Sequence, residues 1–244
     1  ELQIEGIPAT DTNGLYGGSN PADNSGTISY LSIRHGGAEI GEGNEINGLT
    51  LGGVGSGTTI DNVEVIANVD DGIEFFGGTV NASNLLVGGQ GDDGIDIDQA
   101  YSGTITNAMV VLTEASDHAF EIDGPEGSAP GSFTINGATI IGTNDDCDPT
   151  GVDGEMADYR KGATGATNNI YVMDFTAGKD VELDASADAA SYTAETLTFS
   201  NWDIQYPLAD DESVCEGEAV NKIFDDRSDE STFEADAATW AEIV

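Results

Sequence analysis

The sequence predicts an all-β chain wound as a right-handed parallel β-helix, a solenoid of about seven coils of 22–32 residues with a short C-terminal capping helix. Three observations predict it. A six-residue strand pattern recurs along the chain, a second short strand carrying an acidic residue follows it in most coils, and glycine clusters separate the coils.

The first strand pattern is an apolar or small residue, a spacer, commonly Asn, an apolar residue, a spacer, and Val or Ile. It reads I-S-Y-L-S-I at Ile28 to Ile33, I-D-N-V-E-V at Ile60 to Val65, A-S-N-L-L-V at Ala82 to Val87 and I-T-N-A-M-V at Ile105 to Val110. It continues as I-N-G-A-T-I at Ile135 to Ile140, T-N-N-I-Y-V at Thr167 to Val172 and F-S-N-W-D-I at Phe199 to Ile204. Its third position is Tyr30, Asn62, Asn84, Asn107, Gly137, Asn169 and Asn201, at intervals of 32, 22, 23, 30, 32 and 32 residues. Such intervals suit one coil of a solenoid, in which equivalent residues stack at ~4.8 Å. Asn tolerates unusual backbone angles, and its amide can bond to the amide of the next coil. Asn62, Asn84, Asn107, Asn169 and Asn201 are therefore expected to form an asparagine ladder.

The second strand is G-L-T-L at Gly48 to Leu51, G-I-E-F at Gly72 to Phe75, G-I-D-I at Gly94 to Ile97, A-F-E-I at Ala119 to Ile122 and D-V-E-L at Asp180 to Leu183. Alternation sends pairs such as Ile73 and Phe75 inward and the residue between them outward. The outward column is Thr50, Glu74, Asp96, Glu121 and Glu182, and the next outward positions are Phe76, Asp98, Asp123 and Asp184. The coil between Asp123 and Glu182 is less regular, with M-A-D-Y at Met156 to Tyr159 as its rung. Glycine clusters at Gly52 to Gly57 and Gly124 to Gly131 mark turns.

Helical pattern is expected only near the C-terminus. There Ser231 or Thr232 would cap a segment with Phe233, Ala237, Trp240 and Val244 on one face, covering the last coil. Residues 1–208 thus form the β-helix domain, and 209–244 an acidic loop, Asp210 to Glu218, followed by the cap. Position 1 opens in mid-pattern, so upstream coils are expected to be missing. Cys147 and Cys215 have no metal-ligand spacing, and would pair in an exported protein or otherwise serve as small buried residues.

Charge narrows the partners. Forty-six Asp and Glu against 6 Lys and Arg leave a formal net charge of -40. Nucleic acid and anionic membranes are poor partners because phosphate binding needs a basic footprint. No apolar run reaches the ~18 residues of a membrane span. Cations, basic partners and hydroxyl-rich ligands remain, and the acidity also suits solubility in a salty environment.

The columns concentrate that charge. Asp96 with Asp98 is expected to stack directly on Glu121 with Asp123, and each pair of like charges ~5 Å apart costs about 3 kcal/mol at an effective dielectric of ~20. A bound hard cation, raised pKa values or outward splay would relieve it. Calcium suits stacked carboxylates and turn carbonyls. A second set precedes the strand at Asp70 and Asp71, Asp92 and Asp93, then Asp117 with His118. Paired acids against a turn glycine can ligate metal, cap backbone amides or perform acid and base chemistry. The candidate metal ligands are Asp70, Asp71, Asp92, Asp93, Asp96, Asp98, Glu121 and Asp123, with calcium as the ion; an alternative catalytic set is Asp92, Asp93 and His118. His118 aligns with the second acid of each Asp pair, whereas His35 is a satisfied polar residue, and Arg34 and Arg160 neutralise nearby acids. No nucleophile elbow, phosphate loop, zinc spacing or dinucleotide fingerprint stands in its required context.

In coil length, Asn ladder and glycine turns, residues 25–205 resemble the pectin lyase-like superfamily of right-handed β-helices. The segments Y-L-S-I-R-H-G-G, G-E-G-N-E-I-N-G-L-T-L-G-G-V-G-S-G-T, D-D-G-I-E-F-F-G-G and D-H-A-F-E-I-D-G-P-E-G-S resemble secreted or lipid-anchored surface proteins of Bacteroidetes-type bacteria. That resemblance implies an extracellular or outer-surface location. Gly91-Asp92-Asp93 is similar to the Asp pair of polygalacturonase-type glycosidases, but their N-T-D, G-H-G and R-I-K elements do not stand at matching coils. Calcium-dependent pectate lyases place a basic residue beside the metal, for which Arg160 is the nearest candidate. The expectation is a non-catalytic, calcium-stabilised extracellular module that binds polysaccharide or a protein partner or serves surface attachment. The alternatives are a polysaccharide hydrolase or lyase and a structural spacer of a larger surface protein.

Overall fold

The computed structural model describes residues 2–4, 7, 8, 10–37, 46–126, 128–143, 155–175 and 181–205. The chain enters through two short strands, β1 (Leu2–Gln3) and β2 (Leu15–Tyr16), paired antiparallel. It then alternates between longer and shorter strands: β3 (Thr27–Arg34), β4 (Leu49–Gly52), β5 (Thr59–Ile66), β6 (Ile73–Phe76), β7 (Asn81–Gly88), β8 (Ile95–Asp98) and β9 (Thr104–Val111). The alternation continues through β10 (His118–Asp123), β11 (Phe133–Ile141), β12 (Glu155–Arg160), β13 (Gly165–Met173), β14 (Val181–Leu183), a helix α1 (Ser186–Thr193) and β15 (Leu197–Gln205).

Long and short strands segregate into two parallel sheets. The longer ones form a seven-stranded sheet in the order β15-β13-β11-β9-β7-β5-β3, and the shorter ones a six-stranded sheet in the order β14-β12-β10-β8-β6-β4. From β3 to β14 each coil contributes one strand to each sheet, so the expected all-β parallel solenoid is the architecture observed. Register follows the sequence repeat, with Ile28, Ile60, Ala82, Ile105, Ile135, Thr167 and Phe199 stacked in one column.

The third repeat position has a backbone reason. Tyr30, Asn62, Asn84, Asn107, Gly137, Asn169 and Asn201 all have φ between 52° and 82°. A left-handed residue resets strand alternation, so that Ile60, Val63 and Val65 are all buried although they are spaced three apart and then two. The strand turns a corner there while keeping apolar side chains on both arms toward the core. Asn is favoured because it visits this region at less cost than most residues with a Cβ.

The ladder itself is interrupted. Asn107 Nδ2 donates to Asn84 Oδ1 at 2.7 Å and Asn84 Nδ2 to Asp61 Oδ1 at 2.8 Å. In the later coils Asn201 donates to Asn169 at 2.9 Å and Asn169 to Asn136 at 2.7 Å. Gly137 has no amide to offer, so the neighbouring Asn136 ends the second run and Asp61 ends the first.

Between the sheets lies a continuous apolar core that includes Phe75, Ile97, Phe120, Ile122, Tyr159 and Leu183. Closeness of the walls explains the glycine before β4, β6 and β8. A Cβ on Gly72 would lie 2.2 Å from Val87 Cγ1 and 2.6 Å from the Gly94 carbonyl oxygen. Gly48 and Gly94 are confined in the same way by Val65 and Val110.

Helix α1 departs from the expectation of helix only at the C-terminus. Its sequence, S-A-D-A-A-S-Y-T, has no apolar periodicity to reveal it. Tertiary contacts hold it instead: Asp188 is fully buried and accepts the backbone N–H groups of Gly162 at 2.7 Å and Ala163 at 2.9 Å, while Tyr192 packs on Phe199. The expected capping segment from Ser231 to Val244, the acidic loop Asp210 to Glu218, and both Cys147 and Cys215 lie outside the described residues. No described helix is long and apolar enough to cross a membrane.

Candidate functional site in an acidic trough

Parallel register along the shorter strands stacks Thr50, Glu74, Asp96, Glu121, Asp158 and Glu182 in one column. The irregular rung thus supplies Asp158 to the column, and it places Arg160 beside Asp123. One turn earlier, the amide of Gly72 bonds the Asp93 carbonyl and that of Gly94 bonds the His118 carbonyl, which aligns Asp71, Asp93 and His118. His118 in turn stacks on Glu155.

These acids do not face open solvent as strand alternation alone suggests. Glu74 is 1% exposed, Asp96 7%, Asp158 6% and Glu182 3%. Of these, Glu74 and Asp96 line a trough of ≈ 430 Å³ together with Asp70, Asp71, Asp92, Asp93 and Asp98, and Arg160 and Lys161 line it too. Alternation sets which way a side chain leaves its sheet; it does not reveal how deeply the surrounding chain buries it.

The protein neutralises half of the expected four-carboxylate patch. Arg160 Nε donates to Asp123 Oδ1 at 2.8 Å, its Nη2 reaches Asp123 Oδ2 at 3.2 Å and also bonds Glu121, and Lys161 Nζ lies 2.5 Å from Asp123 Oδ2. Glu121 and Asp123 are thereby committed to cations of the chain. Asp96 and Asp98 are not: Oδ1 of each is buried with no hydrogen-bond partner. Burial, reinforced by the charges of Asp71, Glu74 and Glu121, pushes the Asp96 carboxyl well above the usual carboxylate range. Burial likewise raises Asp98, and raises Glu121 to about 9 despite Arg160.

Asp71 is the meeting point of the remaining acids. Carboxylate oxygens of Asp71, Glu74 and Asp96 lie within 4.8 Å of one another, as do those of Asp70, Asp71 and Asp92. Burial and then the Asp93 charge hold Asp71 far above its ordinary value and lift Asp92 to about 7. Of the eight candidate ligands, the structure gathers Asp70, Asp71, Asp92 and Asp96, adds Glu74, and assigns Glu121 and Asp123 to ion pairs. Asp98 lines the same trough one position further out.

Asp93 belongs with His118. Its Oδ1 is 2.8 Å from His118 Nδ1 and accepts the His118 backbone N–H at 2.8 Å, while its own amide donates to Asp71 Oδ1 at 3.0 Å. Burial opposes protonation of the imidazole, but the Asp93 hydrogen bond and charge outweigh it and carry His118 up to about 9. Of the alternative catalytic set, Asp93 and His118 are therefore bonded, with Asp92 beside them in the trough wall. His35 sits apart in a turn with φ of 55°, and Arg34 pairs with Glu64 on the exposed face.

Glu74 is not among the ligands expected from the sequence, and Asp158, Glu155 and Lys161 have no expected role there. Glu74 stood in the outward column and was legible there; the others belong to the rung whose spacing departs from the repeat. Compared with known proteins, the chain matches the family model described as a pectate-lyase like beta helix domain over residues 8–243. Searches of curated proteins and of solved structures return no match.

Proposed function

The chain belongs to the pectate-lyase-like β-helix family, and on that scaffold we propose that the trough holds a divalent cation, calcium by its donor set, in an extracellular binding module. The carrying observation is the convergence of Asp71, Glu74 and Asp96 within 4.8 Å, with one oxygen of Asp96 buried and unpartnered. Stacked like charges of this kind are costly at low dielectric, and a doubly charged ion offsets them. All donors are oxygens, and calcium takes about six to eight of them on a flexible frame. Asp70 and Asp92 extend the set, and the open mouth leaves coordination positions to a hydroxyl-rich polysaccharide or a partner protein. A formal charge of -40 suits a domain working outside the cell in salt.

Calcium titration followed by thermal melting tests this, since an ion bound only by the folded chain raises the midpoint. The wild type should gain stability with millimolar calcium, and Asp71→Asn with Asp96→Asn should lose that gain. An unchanged wild-type midpoint would overturn the proposal and favour a structural spacer.

The Asp93–His118 bond beside Asp92 favours a second reading, cleavage of polysaccharide by this group. An imidazole held protonated to about 9 serves as an acid rather than a base near neutrality. Release of reducing ends or unsaturated sugars from acidic or neutral glycans by wild type, abolished in Asp93→Asn, would decide for it.

A further inference from the structure

His118 has a second set of neighbours. While Nδ1 is taken by Asp93, the imidazole also lies in a group with Glu155 and Glu182 whose candidate ligand atoms fall within 4.8 Å of one another. These residues come from three successive coils, β10, β12 and β14, and all three are more than nine-tenths buried. None of them lines the trough described above. An independent observation points to the same place. Asp158, stacked directly on Glu182 and three residues from Glu155 along β12, is 6% exposed, and its Oδ1 is buried without a hydrogen-bond partner.

We propose that His118, Glu155 and Glu182 form a second metal centre, distinct from the trough, for zinc or a like transition ion, with Asp158 as a further oxygen donor and Asp93 as the group that orients the imidazole. Imidazole beside carboxylates is the donor mixture that zinc-class ions prefer, in contrast to the all-oxygen trough. A carboxylate on Nδ1–H is the usual outer partner of a ligating histidine: it fixes the tautomer and leaves the Nε2 lone pair for the metal. Asp93 occupies that position at 2.8 Å. Depth favours the site as well, because the strands rather than loops hold each donor, and the parallel register keeps them on adjacent rungs.

Cobalt(II) is a suitable probe, since it substitutes for zinc and its visible absorption reports nitrogen and oxygen coordination. Full-length protein freed of metal with a chelator should bind one equivalent of cobalt with visible bands that excess zinc displaces. His118→Gln and Glu182→Gln should abolish the bands, Asp93→Asn should weaken cobalt affinity about 10- to 100-fold, and His35→Gln, which removes the other histidine, should leave the spectrum intact. Bands retained in His118→Gln, bands lost in His35→Gln, or no cobalt bound by wild type would each overturn the proposal. Should the His118 and Glu182 variants fail to fold, wild-type protein labelled with 15N-histidine keeps the question answerable. Zinc should move the His118 Nε2 resonance and leave that of His35, the other histidine, in place; an unmoved His118 signal refutes the centre.

Discussion

Stability of the metal-free protein should fall as pH rises from about 4 to 9, the reverse of the behaviour of a chain whose acids are salt-bridged. Asp158 is the clearest contributor. Burial is the main cause that raises its carboxyl from 3.8 to about 7. Between those values the folded chain keeps a proton that the unfolded chain has released, so the native state binds more protons and loses stability with each step upward in pH. Three pH units at 1.36 kcal/mol each correspond to about 4 kcal/mol from this one side chain. For a domain of this size that is a midpoint shift on the order of 10 °C. Glu121, raised to about 9, extends the window upward. His118 acts in the same direction for the opposite chemical reason: its imidazolium is favoured by the fold, so its contribution is complete below 6.5 and is lost as pH passes about 9. Thermal melts by circular dichroism, in chelator and at about 0.5 M salt to screen exposed acids, would record the slope. Millimolar calcium and zinc should flatten it, because metal then replaces protons as the counter-charge. A midpoint that stays level or rises with pH in chelator, or a slope unchanged in Asp158→Asn, would refute the reasoning.

Other perturbations act on the frame. Gly137→Ala should destabilise the protein by about 1 kcal/mol, because φ is 82° there, a conformation strained for any residue with a Cβ even though the added Cβ meets nothing closer than 3.8 Å; urea unfolding would show a lower midpoint with an unchanged slope. Arg160→Gln removes the cation shared by Glu121 and Asp123 while Lys161 remains on Asp123. Its expected cost is about 2–3 kcal/mol, below that of a fully buried pair because Arg160 is partly exposed, and a denaturation curve in chelator at pH 7 would measure it.

Much of the molecule was legible from spacing. Strands β3 through β15 on the longer sheet fall on the repeat because an inward residue on each side of a left-handed Asn is a local property, written in one segment and repeated by stacking. The acidic column was legible for the same reason, as was the alignment of His118 with the second Asp of each pair. The trough was less so. Arg160 and Asp123 are 37 residues apart in sequence, with an irregular coil between them, so no local period announces their ion pair. Helix α1 was not legible because Asp188 and Tyr192 find their partners in other coils.

By itself, then, the sequence determined the solenoid, its coil length, its corners at Asn62, Asn84, Asn107, Asn169 and Asn201, and the order in which carboxylates stack. Only the tertiary structure decided that those carboxylates are enclosed, that Glu121 and Asp123 meet Arg160 while Asp71 and Asp96 meet no cation of the chain among the described residues, and that His118 stands between two clusters. The physical reason is one of range. Periodicity specifies the direction in which a side chain leaves its own strand, whereas burial, charge pairing and ligand geometry depend on what the neighbouring coils and turns place above it.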